Sequence, residues 1–97
     1  AIKRFQYDDH KRKISELYFN MQGKPCCTRM GYSKVKRTYY TKLNDRIEKI
    51  EYFDDDGKLT YNNEVGYAFA CYEYDNLNGE TAITIYYYDE SGNFIYS

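Results

Sequence analysis

Three groups of side chains in this 97-residue chain are of types that could do chemistry. Asp54, Asp55 and Asp56 stand in a row before Gly57, an arrangement that could offer carboxylate oxygens to Ca²⁺. Cys26, Cys27 and the single His10 supply the residue types of a thiol nucleophile or a zinc site. Tyrosine is the third group, with 14 copies and no Trp beside them. An outward tyrosine can stack on a sugar ring or anchor a protein interface with little loss of side-chain entropy. Tyr40, Tyr72, Tyr74, Tyr86 and Tyr88 are the candidates for such a ligand or interface surface.

The first two groups have simpler readings. An EF-hand loop needs Gly sixth and Glu twelfth, but with Gly57 sixth, Tyr52 stands first and Asn63 twelfth. The aspartates are better explained as turn residues. No Cys-x-x-Cys spacing exists, the cysteine count of three is odd, and the adjacent Cys26-Cys27 pair would bridge only with strain. Free thiols are the plainer reading, with a long-range bridge from Cys71 left open. His10 lies in a charged loop and reads as a solvated side chain. The expectation is therefore no catalytic residue, no metal, no cofactor and no enzyme activity.

The elements that must position the tyrosines are announced by repetition. Tyr18-Phe19-Asn20-Met21-Gln22-Gly23-Lys24, Tyr52-Phe53-Asp54-Asp55-Asp56-Gly57-Lys58 and Tyr87-Tyr88-Asp89-Glu90-Ser91-Gly92-Asn93 share an aromatic pair, an Asx, two variable residues and a glycine, with glycines 34 and 35 residues apart. Gly31-Tyr32 and Gly66-Tyr67 keep the same pitch of 35. Residues 1–97 thus read as one domain of units 1–30, 31–65 and 66–97. The first residue is Ala1, and the units at both ends are trimmed, so the chain is expected to be a piece of a longer array.

Each unit reads as strand A, a polar loop, strand B, the glycine turn and a short extended return. Strand A is clearest over Tyr67-Ala68-Phe69-Ala70-Cys71-Tyr72-Glu73-Tyr74, with Ala68, Ala70, Tyr72 and Tyr74 inward and Ser33, Val35, Arg37 and Tyr39 as their counterparts. The loops between A and B are Asp8–Arg12, Thr41–Asp45 and Asp75–Gly79. Strand B is ambiguous, because Ile47 and Ile50 stand three apart among good helix formers. The third copy, Thr81-Ala82-Ile83-Thr84-Ile85-Tyr86-Tyr87-Tyr88, is β-branched and aromatic and decides for strand in all three, with a helix over 44–50 as the alternative. In the turns, Asp54 and Asp89 can bond their own backbone two residues on, while Gly23, Gly57 and Gly92 take the positive φ that closes the hairpin.

These patterns imply an all-β fold: an antiparallel β-meander of about 35-residue repeats, in a single-layer or weakly paired sheet. A composition with 42% apolar residues but so many tyrosines favours a thin, half-exposed sheet, since each hydroxyl needs water or a partner. No run approaches the roughly 18 apolar residues of a membrane span. Charge is segregated: residues 1–50 hold 13 Lys/Arg against five Asp/Glu, a balance of +8, and residues 51–97 hold one against ten, a balance of −9. This favours attraction between neighbouring repeats or copies over nucleic-acid binding, because the acidic half opposes a polyanion.

Tyr88-Asp89-Glu90-Ser91-Gly92-Asn93 and Phe53-Asp54-Asp55-Asp56-Gly57-Lys58 resemble the Tyr-Asp-x-x-Gly core of the YD repeats of RHS-type proteins. Tyr74-Asp75 with Gly79 is a stretched version, and Tyr7-Asp8 opens another that lacks its glycine. The resemblance implies β-hairpin strips that build broad sheets as scaffold or container in large secreted or surface bacterial proteins. The function expected is accordingly a non-catalytic structural or interaction segment of such a protein, with protein, glycan, neighbouring repeats or itself as partner. A glycan-binding module using the exposed tyrosines is the alternative.

Overall fold

The computed structural model describes residues 2–40 and 46–96. Seven strands, β1 (Ile2–Tyr7), β2 (Lys13–Phe19), β3 (Lys34–Tyr39), β4 (Ile47–Phe53), β5 (Phe69–Leu77), β6 (Glu80–Tyr88) and β7 (Phe94–Tyr96), form one antiparallel sheet in chain order. The fold is an all-β open meander, and no helix occurs among the described residues. Of the helix alternative over 44–50, residues 47–50 lie in β4, and 44 and 45 fall outside the described residues. The loop expected at Thr41–Asp45 falls outside them as well.

A bulge explains why β4 imitates a helix. Thr38 pairs with Lys49 but Tyr39 pairs with Ile47, so Glu48 is an extra residue on its strand. The extra residue puts Ile47 and Ile50 on one face of a strand at a spacing of three. The same slip occurs in the first hairpin, where Gln6 pairs with Ser15 and Tyr7 with Lys13. β6 has no slip along its pairing with β5 and keeps the two-residue alternation of Ile83 and Ile85.

Long hairpins alternate with short seams. β1–β2, β3–β4 and β5–β6 pair along most of their length, whereas β2–β3 and β4–β5 share only three residue pairs each, Ser15↔Lys36 to Leu17↔Lys34 and Lys49↔Cys71 to Glu51↔Phe69. The third hairpin corrects two sequence expectations. Strand A runs on to Leu77, with Asp75 paired to Ala82, so Asp75–Gly79 is neither a long loop nor a stretched copy of the glycine turn. Asn78 and Gly79 both have positive φ, 53° and 80°. That pair of angles makes a two-residue turn whose twist matches the strands, which lets pairing continue to Leu77↔Glu80.

The glycine turns share one bonding pattern. Asp54 N–H donates to Lys58 O, Gly57 N–H to Asp54 O, and the N–H groups of Asp56 and Lys58 both donate to Asp54 Oδ1 at 2.9 Å. The same four bonds recur around Asn20 and Asp89. They recur a fourth time around Asp8, where Lys11 takes the glycine's place at φ 63°.

The core lies on one face of the sheet. Ser33, Val35, Ala68 and Ala70 are buried there, as the alternation predicts, and Tyr72 packs beside them. Tyrosine rings cover these small residues in an unbroken row: Tyr18 to Tyr32 at 5.9 Å between centroids, Tyr32 to Tyr52 at 4.9 Å, Tyr52 to Tyr67 at 5.7 Å and Tyr67 to Tyr87 at 4.9 Å. Tyr18, Tyr52 and Tyr87 come from strands, and Tyr32 and Tyr67 from the connections that follow the glycine turns. Tilted and edge-on rings at these distances attract beyond their area of burial.

Candidate functional site

The two seams are where tyrosine hydroxyls are put to use. Pairing between β4 and β5 stops at Lys49↔Cys71, so the carbonyls beyond that point lose the ladder donors that a longer pairing would supply. Tyr74 donates its hydroxyl to Ile47 O at 2.9 Å, and Tyr40 donates to Tyr72 O. The ring of Tyr74 packs edge-on against Tyr40 and under the Arg46 guanidinium, 5.0 Å from its centroid. The β2–β3 seam repeats the device. Tyr39 donates to Lys13 O at 2.8 Å, and Arg12 covers its ring at 4.6 Å. Each clamp joins an Arg, the carbonyl of the next residue and a tyrosine from the following hairpin.

Of the candidate tyrosines, Tyr40, Tyr72 and Tyr74 are brought together at the β4–β5 seam. Burial pushes the phenols of Tyr40 and Tyr72 above their ordinary value. Tyr86 and Tyr88 lie on the opposite, open face. Tyr86 donates to Glu73 Oε2 at 3.3 Å, and the negative charge of that carboxylate raises its pKa. Tyr88 stacks on Phe69 at 4.6 Å with ring planes 9° apart and meets Phe94 edge-on. Basic side chains cover the other aromatics of that face: Arg4 lies over Phe19, Lys34 over Phe53 and Lys49 over Phe69. An open depression of about 340 Å³ is lined by Thr38, Tyr40, Glu48, Lys49, Cys71, Tyr72 and Glu73.

The remaining candidates stand apart from this region. Asp54, Asp55 and Asp56 hold ligand atoms within 4.8 Å of one another, and Asp54 Oδ1 already accepts two backbone N–H groups. Cys26 and Cys27 are exposed and Cys71 half-buried, all three as free thiols. Burial pushes the Cys27 and Cys71 thiols up, the reverse of what activates a nucleophile. His10 is exposed, and its backbone N–H donates to Asp8 Oδ1 within the first turn.

No family model, curated protein or solved structure matches the chain. The geometry therefore has to speak for function. Sequence reasoning missed Tyr39, Arg12 and Arg46 as partners of a clamp. A signal was present, because Arg12 and Arg46 stand 34 residues apart while Tyr39 and Tyr74 stand 35 apart, close to the spacing of the glycine turns. Among the described residues no helix is long and apolar enough to cross a membrane.

Proposed function

We propose that this chain is a non-catalytic structural and interaction segment of a larger secreted or surface-associated bacterial repeat protein. The observation that carries the reading is the pair of seam clamps. Tyr39 and Tyr74, which have the reach and chemistry to hold a ligand, instead bond the carbonyls of the preceding hairpin and join successive units. The likeness of its turns to YD repeats supports the same reading, as do the four turns with one bonding pattern.

A glycan-binding module is the second reading, favoured by the open depression with Tyr40, Lys49, Glu48 and Glu73 in its lining and Glu73 bonded to Tyr86. Titration with an oligosaccharide panel separates the two. The chain has no Trp, so its intrinsic fluorescence is that of tyrosine alone. The structural reading expects no saturable change. A saturable change that disappears in Glu73→Ala would establish the glycan reading in its place.

A further inference from the structure

The two ends of the sheet have complementary open edges. β1 is the first strand, and all six of its residues are exposed. At the other end, β7 pairs only with Tyr87 and Tyr88 of β6. Among the described residues, the stretch of β6 from Glu80 to Tyr86 has β5 on one side and no strand on the other. Unpaired edges of this kind are templates for another strand.

What the β6 edge is shaped to receive can be read from the two seams inside the molecule. By hairpin register, Ile2, Lys34 and Phe69 occupy one position, since they pair with Phe19, Phe53 and Tyr88. Tyr7, Tyr39 and Tyr74 share another, pairing with Lys13, Ile47 and Ile83. β1 is thus the same kind of strand as β3 and β5, and β6 the same kind as β2 and β4. We propose that β1 of a second copy of this chain docks antiparallel on the free edge of β6, head to tail, in the register of the internal seams. This deepens the structural reading by naming the partner.

Transfer of the seam register gives three ladder pairs between copies: Thr84 with Arg4, Ile85 with Lys3 and Tyr86 with Ile2. Tyr7 then stands where Tyr39 and Tyr74 stand. It is 56% exposed, and no hydrogen bond reaches its hydroxyl among the described residues. Its acceptor in the docked pair is Ile83 O, the counterpart of Lys13 O and Ile47 O in the two clamps. Charge favours the same pairing. β1 carries Lys3 and Arg4 and no acid, while β5 and β6 carry Glu73, Asp75 and Glu80 and neither Lys nor Arg. A β1–β1 contact would oppose like charges. Each head-to-tail contact leaves one β1 edge and one β6 edge free on the pair, so further copies can add in a line.

The experiment uses the whole chain in a Cys26→Ser, Cys27→Ser, Cys71→Ala background. Arg4→Cys mixed with Thr84→Cys should give a disulfide-linked heterodimer under mild oxidation, at least about tenfold more than Arg4→Cys mixed with Ala82→Cys, because cross-strand partners alone have the short separation a disulfide needs. Sedimentation should show linear oligomers that weaken in salt and in Tyr7→Phe, an exposed change that leaves the circular dichroism unaltered. A chain that stays monomeric, or cross-links that form equally in and out of register, overturns the proposal. Neither outcome touches the structural reading, which the oligosaccharide titration tests separately.

Discussion

The β2–β3 and β4–β5 seams share a geometry and differ in chemistry. Both use three ladder pairs, a tyrosine hydroxyl donated to a carbonyl of the preceding hairpin and one Arg over that tyrosine, and the second adds the Tyr40 hydroxyl on Tyr72 O. In the first seam, Glu16 on β2 faces Arg37 on β3 at 3.5 Å and Lys13 at 3.3 Å. In the second, the same positions are Ile50 and Tyr72, which pack on the core. An ion pair and an apolar pair therefore fill equivalent sites without changing the backbone. The two seams share their tyrosine clamp and differ in the pair beside it. Arg37 Nη1 is buried and makes no hydrogen bond of good geometry, so the polar version is the less satisfied of the two.

The comparison is tested most severely by its rings. Tyr32 bridges Tyr18 and Tyr52 at the first seam, and Tyr67 bridges Tyr52 and Tyr87 at the second. Tyr32→Ala and Tyr67→Ala should each cost about 3–5 kcal/mol in chemical denaturation, as deletions of buried rings do. A large inequality between them would show that the seams are not equivalent. Next come the hydroxyls: Tyr39→Phe and Tyr74→Phe each strand a carbonyl, and should lower stability by about 1–3 kcal/mol with the fold retained.

The pair between the rings can be broken and then rebuilt. Glu16→Ala alone should destabilise by about 1–3 kcal/mol, because it leaves Arg37 without its counter-charge. The double change Glu16→Ile with Arg37→Tyr rebuilds the second seam's pair in the first and should restore stability to within about 1 kcal/mol of the parent. A double variant as damaged as the single one would show that the seams need different chemistry.

pH separates the seams in the same way. Burial opposes ionisation of Glu16, but the Lys13 hydrogen bond and the charges of Arg37 and Lys13 outweigh it and hold its pKa below 4.5. A depressed carboxyl contributes stability above its unfolded value and loses it as pH falls through the folded one, so acid below pH 4.5 should loosen the first seam alone. Alkali should act on both. Burial pushes Tyr32 up to about 12 and raises Tyr67 as well, so unfolded tyrosine ionises first and stability, full below pH 10, declines as pH rises past it. Melting temperature followed against pH, with tyrosinate absorbance, checks both limbs.

The smallest effects lie in the turns that flank the seams. Gly57 has φ 82° and open space where a Cβ would go, so Gly57→Val carries only backbone strain, about 1–2 kcal/mol. Lys11 holds the equivalent place at φ 63° without glycine, and Lys11→Gly should stabilise by up to about 1 kcal/mol. Thermal melts that show no change in either variant would remove positive φ as the constraint on these turns.

Much of this was legible in the chain itself. The Asx and glycine residues of the turns announced their hairpins because both act on backbone within four residues of themselves. Alternation of small and aromatic residues marked Val35, Ala68 and Ala70 as the inward positions, since a pleated strand turns successive side chains to opposite faces. The Asp8 turn was half hidden, because nothing in a lysine advertises positive φ. Ile47 and Ile50 misled because a bulge and a helix can give the same spacing.

What the sequence determined by itself is the set of local choices: strands, hairpin turns and the inward face. The tertiary structure alone decided which tyrosines are core, which are clamps and which face outward. A tyrosine's place depends on where its hydroxyl finds an acceptor, and the acceptors of Tyr39, Tyr40 and Tyr74 are backbone carbonyls 26, 32 and 27 residues away. A carbonyl looks the same at every residue, so only the pairing that leaves it without a ladder donor makes it a partner.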